Sequence, residues 1–104
     1  MPKVFISMPM RGKTNEEIEQ RRKEIIEDVK LKLGNDTEII DSFFKDAPHD
    51  SKPLWFLGES IKLLSTADFI VLDEGWQDAR GCRIERECAL EYEIGIFYYH
   101  KYGN

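Results

Sequence analysis

A basic surface, a long apolar run and a cysteine framework are all missing from this sequence, and each absence removes a class of function. Lysine and arginine number 15 against 20 aspartates and glutamates, for a net charge of −5. Duplex nucleic acid is therefore not an expected partner, because phosphate binding needs a basic face. No apolar stretch approaches the ~20 residues of a membrane span. The segment Met1 to Ser7 holds one lysine and a short strand-like run, unlike a signal peptide. The expected compartment is the cytoplasm, which makes the sequon Asn35-Asp36-Thr37 irrelevant. The two cysteines, Cys82 and Cys88, lie six apart with no second pair. That is neither zinc spacing nor a geometry suited to a disulfide within one helix, so reduced thiols are expected. His49-Asp50 is too short a pair to mark a metal, and no metal or organic cofactor is expected.

What is present is enough for one domain, 1–104, with 41% hydrophobic and 34% charged residues, the balance of a folded globule. Lys3 to Ser7 reads as a first strand, apolar on both faces as in a sheet covered by helices on each side. After the loop Met8 to Lys13, Thr14 and Glu17 form a capping box. Ile18, Ile25, Ile26, Val29 and Leu33 then make a helical stripe ended by Gly34. Thr37 to Asp41 reads as a second strand and Ser42 to Lys52, with Pro48, as a loop. A second helix over Pro53 to Ser65 carries Leu54, Leu57, Ile61 and Leu64 on one face. Asp68 to Asp73 is the clearest strand. A loop around Gly75-Trp76 leads to a third helix from Gly81 to Glu93, and Ile96 to Tyr99 forms a fourth strand. The alternation implies a three-layer, reduced doubly wound (flavodoxin-like) parallel sheet of four strands in the order 2-1-3-4. Ligands in such sheets sit at the carboxyl ends of the strands, here beyond Ser7 and Asp73.

One acid lies out of place. On a wheel of about 100° per residue with Ile84 at zero, Cys88, Tyr92 and Ala89 define an apolar arc over roughly 0–140°. Glu87, Glu91 and Glu93 fall outside it, and Glu85 falls inside at about 100°. A buried carboxylate must be paired, hydrogen-bonded or part of a site. Its placement in the first helical turn would favour its charge, and an ion pair with Arg80, Arg83 or Arg11 is the structural alternative. Asp73 ends a strand at the same mouth, or caps the next turn. Gly12 belongs to neither a Walker loop nor a dinucleotide fingerprint. Free N–H groups at the helix start and Arg11 could still hold a phosphate. Trp76 either stacks on a ligand or lids the core. Arg21-Arg22-Lys23 reads as a solvated helix face.

Three segments together resemble the nucleoside 2-deoxyribosyltransferase superfamily, and most closely its small phage and bacterial branch. They are Lys3-Val4-Phe5-Ile6-Ser7-Met8-Pro9-Met10-Arg11-Gly12, then Ala67-Asp68-Phe69-Ile70-Val71-Leu72, then Gly75-Trp76 with Arg80-Gly81-Cys82-Arg83-Ile84-Glu85 and Ala89. The most specific piece is Gly-x-x-x-Glu-x-x-x-Ala, Gly81 to Ala89. The resemblance implies that Glu85 is a nucleophile attacking the anomeric carbon of an N-glycoside, expelling the base and leaving a glycosyl ester. It implies Asp73 and Ser60 as further catalytic residues near the sugar, and Ser7, Arg11 and Gly12 along the sugar or phosphate end, with Trp76 at the base; Met8, Pro9, Arg80 and Gly81 complete the expected substrate-binding set. Two positions depart from the family pattern: its orienting aromatic hydroxyl is Phe5 here, and its second acid falls on Ser60. These departures keep open a second reading, a non-catalytic nucleotide-binding module of the same fold. The expected partner in both is a nucleoside or nucleotide. Apolar Phe97, Tyr98, Tyr99 and Tyr102 suggest a homodimer or larger homo-oligomer. Glu85 is expected to be buried at the sheet's carboxyl edge, in one cavity shared with Met8 to Gly12.

Overall fold

The computed structural model describes residues 1–44 and 50–100. Pro48, His49 and Tyr102, named above, lie outside the described residues. Strands β1 (Lys3–Ser7), β2 (Glu38–Ile39), β3 (Phe69–Leu72) and β4 (Gly95–Tyr98) alternate with helices α1 (Asn15–Leu33), α2 (Pro53–Leu64) and α3 (Arg80–Glu91). The strands form one all-parallel sheet in the order β2-β1-β3-β4, as the alternation implies. In the register, Val4, Phe5, Ile6 and Ser7 pair with Phe69, Ile70, Val71 and Leu72, so β1 and β3 end side by side.

Side-chain alternation along β1 and β3 divides the core into two. Val4, Ile6 and Val71 pack with Ile18, Ile25 and Val29 of α1. Phe5, Ile70 and Leu72 pack with Leu64 of α2 and with Cys82 and Ala89 of α3. The sheet is thus a middle layer, with α1 on one face and α2 and α3 on the other. Ser7 follows Phe5 by two residues and faces the α2 and α3 side.

The capping box of α1 forms: Glu17 N–H donates to Thr14 Oγ1 at 3.1 Å, and Thr14 N–H donates to Glu17 Oε1 at 2.8 Å. Gly34, at φ 111°, closes the helix with its N–H on the Lys30 carbonyl. The basic run of α1 is not the solvated face that its charge suggests. Arg22 is buried, donating to the Ile40 carbonyl at 2.6 Å and to Ser42 Oγ at 3.3 Å, and Arg21 is drawn to the sheet edge. The helical phase explains it, since Arg22 lies four residues after Ile18 and three before Ile25. Burial lowers the Arg22 pKa, and Asp41 partly opposes that shift.

Two apolar assignments also differ. Leu54 is 76% exposed because it sits in the first turn of α2, clear of the sheet, while Leu64 at the other end is buried. Strand β2 shrinks to two residues, because Thr37 turns its hydroxyl onto the Gly34 carbonyl at 2.7 Å. No described helix is long and apolar enough to cross a membrane.

Gly95 opens β4 against Phe69, and a Cβ placed there would lie 2.5 Å from the Phe69 ring. Gly95→Ala should therefore lower the unfolding free energy by about 1–3 kcal/mol through overpacking. Urea denaturation of the two proteins measures this directly.

Candidate functional site

The site assembles where β1 and β3 run out beside α3. A single 3-10 turn, Trp76–Asp78, follows β3, and α3 starts at Arg80. Cys82, Glu85 and Ala89 are its buried residues. Ile84 is 41% exposed and Tyr92 79% exposed, so the buried arc is displaced from the one the apolar pattern outlines. On the same wheel it spans about 100–160°, from Glu85 through Ala89 to Cys82. The displacement places Glu85 firmly on the inward face, with 8% of its surface exposed. Because α3 begins at Arg80, Glu85 lies in the second turn, not the first. The stabilising field of a helix N-terminus has largely faded there.

Ser7 Oγ donates a hydrogen bond to Glu85 Oε1 at 2.6 Å, linking the last residue of β1 to α3. Burial pushes the Glu85 pKa up to about 7, and the hydroxyls of Ser7 and Ser60 pull it back part of the way. Hydroxyls, not Arg80, Arg83 or Arg11, are the groups that act on this carboxyl. Arg83 donates to the Gln77 carbonyl at 2.8 Å instead. Cys82 lies one helical turn before Glu85, and its thiol is pushed up to about 11, chiefly by burial. Ser7 hydrogen bonding opposes that shift, and the charges of Glu85 and Asp73 add to it. Buried Glu85, Ser7 and Cys82, with half-buried Ser60, therefore form one cluster drawn from β1, α2 and α3. A carboxyl in such a setting can act as a nucleophile when ionised and exchange a proton near neutral pH.

Asp73 belongs to a different arrangement. It is 1% exposed and bound by Arg21 of α1 through Nε and Nη2 at 2.8–3.2 Å, and it accepts from the Glu74 N–H at 2.7 Å. Its carboxylate is thus neutralised from the α1 side. Arg21 also reaches Glu74 at 2.9 Å and stacks over Tyr99 at 5.0 Å. Asp73 holds Arg21 protonated more firmly than usual.

The remaining predicted residues fall at varied depths. Met8 is buried in the α1-side core. Pro9 packs near Gly75, whose added Cβ would lie 3.6 Å from Pro9 Cγ, so the loops after β1 and β3 touch. Arg11 and Gly12 are exposed on a tight turn, where Gly12 at φ 79° lets the Lys13 N–H reach the Met10 carbonyl. Arg80 is exposed and Gly81 half-buried. Trp76 packs against the α3-side core and stacks with Arg86 at 4.7 Å and Tyr98 at 5.8 Å.

A cleft of about 240 Å³ opens beside Trp76, bounded by Asp73, Glu74, Tyr98, Tyr99 and His100. Neither Glu85 nor the loop Met8 to Gly12 lines it, so it is not the shared cavity that the sequence suggests. Among the described residues, no group of three or more His, Cys, Asp or Glu side chains is arranged to hold a metal ion. Comparison with protein-family models, with curated proteins and with solved structures finds no match to this chain.

Sequence reasoning missed Arg21 and Cys82. Cys82 carried a signal, because it precedes Glu85 by three residues and Ala89 by seven on one face of α3. Arg21 carried none that names its partner, since Asp73 lies 52 residues away.

The raised pKa of Glu85 has a consequence for stability. The folded protein keeps a proton that the unfolded chain releases between about pH 4.5 and 7, so this group makes stability fall as pH rises through that window. Glu85→Gln removes the effect. Between pH 4.5 and pH 8 the variant should gain about 2–3 kcal/mol relative to the parent. Denaturant midpoints of both proteins at the two pH values test this, and a difference that is constant with pH contradicts a buried, titrating Glu85.

Proposed function

We propose that the protein breaks or transfers the N-glycosidic bond of a nucleoside or nucleoside 5′-monophosphate through a glycosyl ester on Glu85. The observation that carries the reading is the Glu85 carboxyl itself: buried at the carboxyl edge of the sheet, held by Ser7 at 2.6 Å, and titrating near 7. A carboxylate of raised basicity is a better nucleophile than an ordinary one, and burial keeps competing water from it. The hydroxyls of Ser7 and Ser60 orient the carboxylate, and the oxygen not held by Ser7 would approach the anomeric carbon. This supports the reading in spite of Phe5, because Ser7 lies two residues on along the same face of β1 and supplies a hydroxyl from there. Arg11, Gly12 and the start of α1 would take the sugar or phosphate end, and Trp76 the base.

The second reading, a nucleotide-binding module without turnover, is favoured by Ser60. A hydroxyl stands where the resembled family has an acid, and general-acid help contributes about 10²–10⁴-fold. In either reading, Phe97 and Tyr98, 44% and 41% exposed on the edge strand β4, suit a homodimer. Light scattering at micromolar concentration should return twice the chain mass or more.

Incubation with a panel of nucleosides and monophosphates, followed by mass spectrometry of intact protein and products, tests the enzyme reading. A sugar adduct on Glu85 and released base are expected. Glu85→Gln should abolish both, because an amide cannot form the ester, while ligand affinity should persist. For the active protein, kcat/KM should rise with pH and level off above about 7 as Glu85 ionises. Turnover that survives Glu85→Gln excludes this mechanism, and affinity with no turnover in the parent selects the binding module.

A further inference from the structure

Breaking an N-glycosidic bond through a carboxylate nucleophile ordinarily needs a second group, an acid that protonates the leaving nitrogen. The side chains described around Glu85 are poorly suited to that task. Ser7 directs its hydroxyl proton to Glu85 itself. Ser60 contributes a second hydroxyl, which also acts to stabilise the Glu85 carboxylate. The Cys82 thiol holds its proton tightly, with a pKa of about 11. The carboxyl next to Ser60, that of Glu59, is ion-paired to Lys62 at 2.8 Å. Glu85 cannot serve as its own acid, since the protonated form is not the nucleophile.

From these neighbours we infer that the preferred substrate is an N-glycoside whose base already carries a positive charge, such as a pyridinium or an N7-alkylated purine nucleoside. The inference rests on the reading of Glu85 as nucleophile. In the first step the C1′–N bond breaks and its electron pair passes to the ring, cancelling the positive charge. The base leaves neutral and needs no proton. A Glu85 oxygen forms the new bond to C1′. In the second step water attacks C1′, the ester bond returns its electrons to the carboxylate, and the surplus proton goes to solvent. The local charges agree with such a substrate. The Cys82 thiol feels the negative charges of both Glu85 and Asp73, with Lys13 opposing them more weakly. Arg21 offsets Asp73, so the ionised Glu85 carboxylate is the charge that draws a cationic ring toward the nucleophile.

Guanosine and 7-methylguanosine make the decisive pair, since they share sugar and ring shape and differ in charge. They are assayed in ribo and 2′-deoxyribo forms, free and as 5′-monophosphates, with nicotinamide riboside as a second cationic probe. Each rate is divided by that of spontaneous hydrolysis. The cationic substrates should show a rate enhancement at least ~100-fold above that of guanosine, the loss expected when acid help is missing. Glu85→Gln should remove it. Ser60→Asp should narrow the ratio by raising the guanosine rate. Similar enhancements for guanosine and 7-methylguanosine, both lost in Glu85→Gln, overturn the leaving-group inference and leave the nucleophile in place. No turnover and no sugar adduct with any probe overturns both.

Discussion

Taking a carboxyl group out of water is the costly step on which this site depends. Glu85 is held on the inward face of α3 against the sheet, and among the described residues no cation acts on it. An ionised carboxylate in that position is compensated only by hydroxyls, so its proton affinity rises until it titrates near 7. Each element nearby contributes to the arrangement. The alternation of β1 directs Phe5 into the core and brings Ser7, at the strand's end, to the carboxyl. The phase of α3 stacks Cys82, Glu85 and Ala89 against the sheet, and α2 brings Ser60.

A second buried carboxylate at the same edge shows what a charged partner changes. Asp73, at the end of β3, is more buried than Glu85 yet is gripped by the Arg21 guanidinium through Nε and Nη2. Removing one partner from a buried pair of this kind costs about 3–5 kcal/mol, because the other charge is left without compensation. The Arg21–Asp73 pair thus ties α1 to the loop after β3, and Arg21 extends the tie to Glu74 and to Tyr99 at the end of β4. Glu85 has no such partner among the described residues, and burial raises its pKa to about 7. The two acids lie on opposite faces of the sheet, Asp73 held by Arg21 of α1 and Glu85 by the hydroxyl of Ser7.

The strand order, the layers and the capped first helix were legible because they follow from local pattern. Apolar strands alternate with amphipathic helices, and parallel strands require crossovers of that length. Glu85 was legible as a misplaced acid for the same reason, since a polar residue inside an apolar arc is a local anomaly. The wheel nevertheless placed the arc too far toward Ile84 and Tyr92. Apolar residue type is a weak guide to burial on a helix that ends at an edge strand, where part of the apolar face has nothing above it. Arg22 was misread for the converse reason: its charge suggested solvent, while its spacing from Ile18 and Ile25 placed it inside.

By itself, then, the sequence determined the sheet, its order and the identity of the acid on the inward face, all of which depend on residues close in the chain. Only tertiary structure decided which groups surround that acid. Ser7 lies 78 residues from Glu85, and Arg21 lies 52 from Asp73. No periodicity connects such pairs, because they meet only when the sheet closes and α1 and α3 dock on opposite faces. The pKa of Glu85 and the neutralisation of Asp73 are properties of those meetings, set by burial and by the charge of the group that arrives.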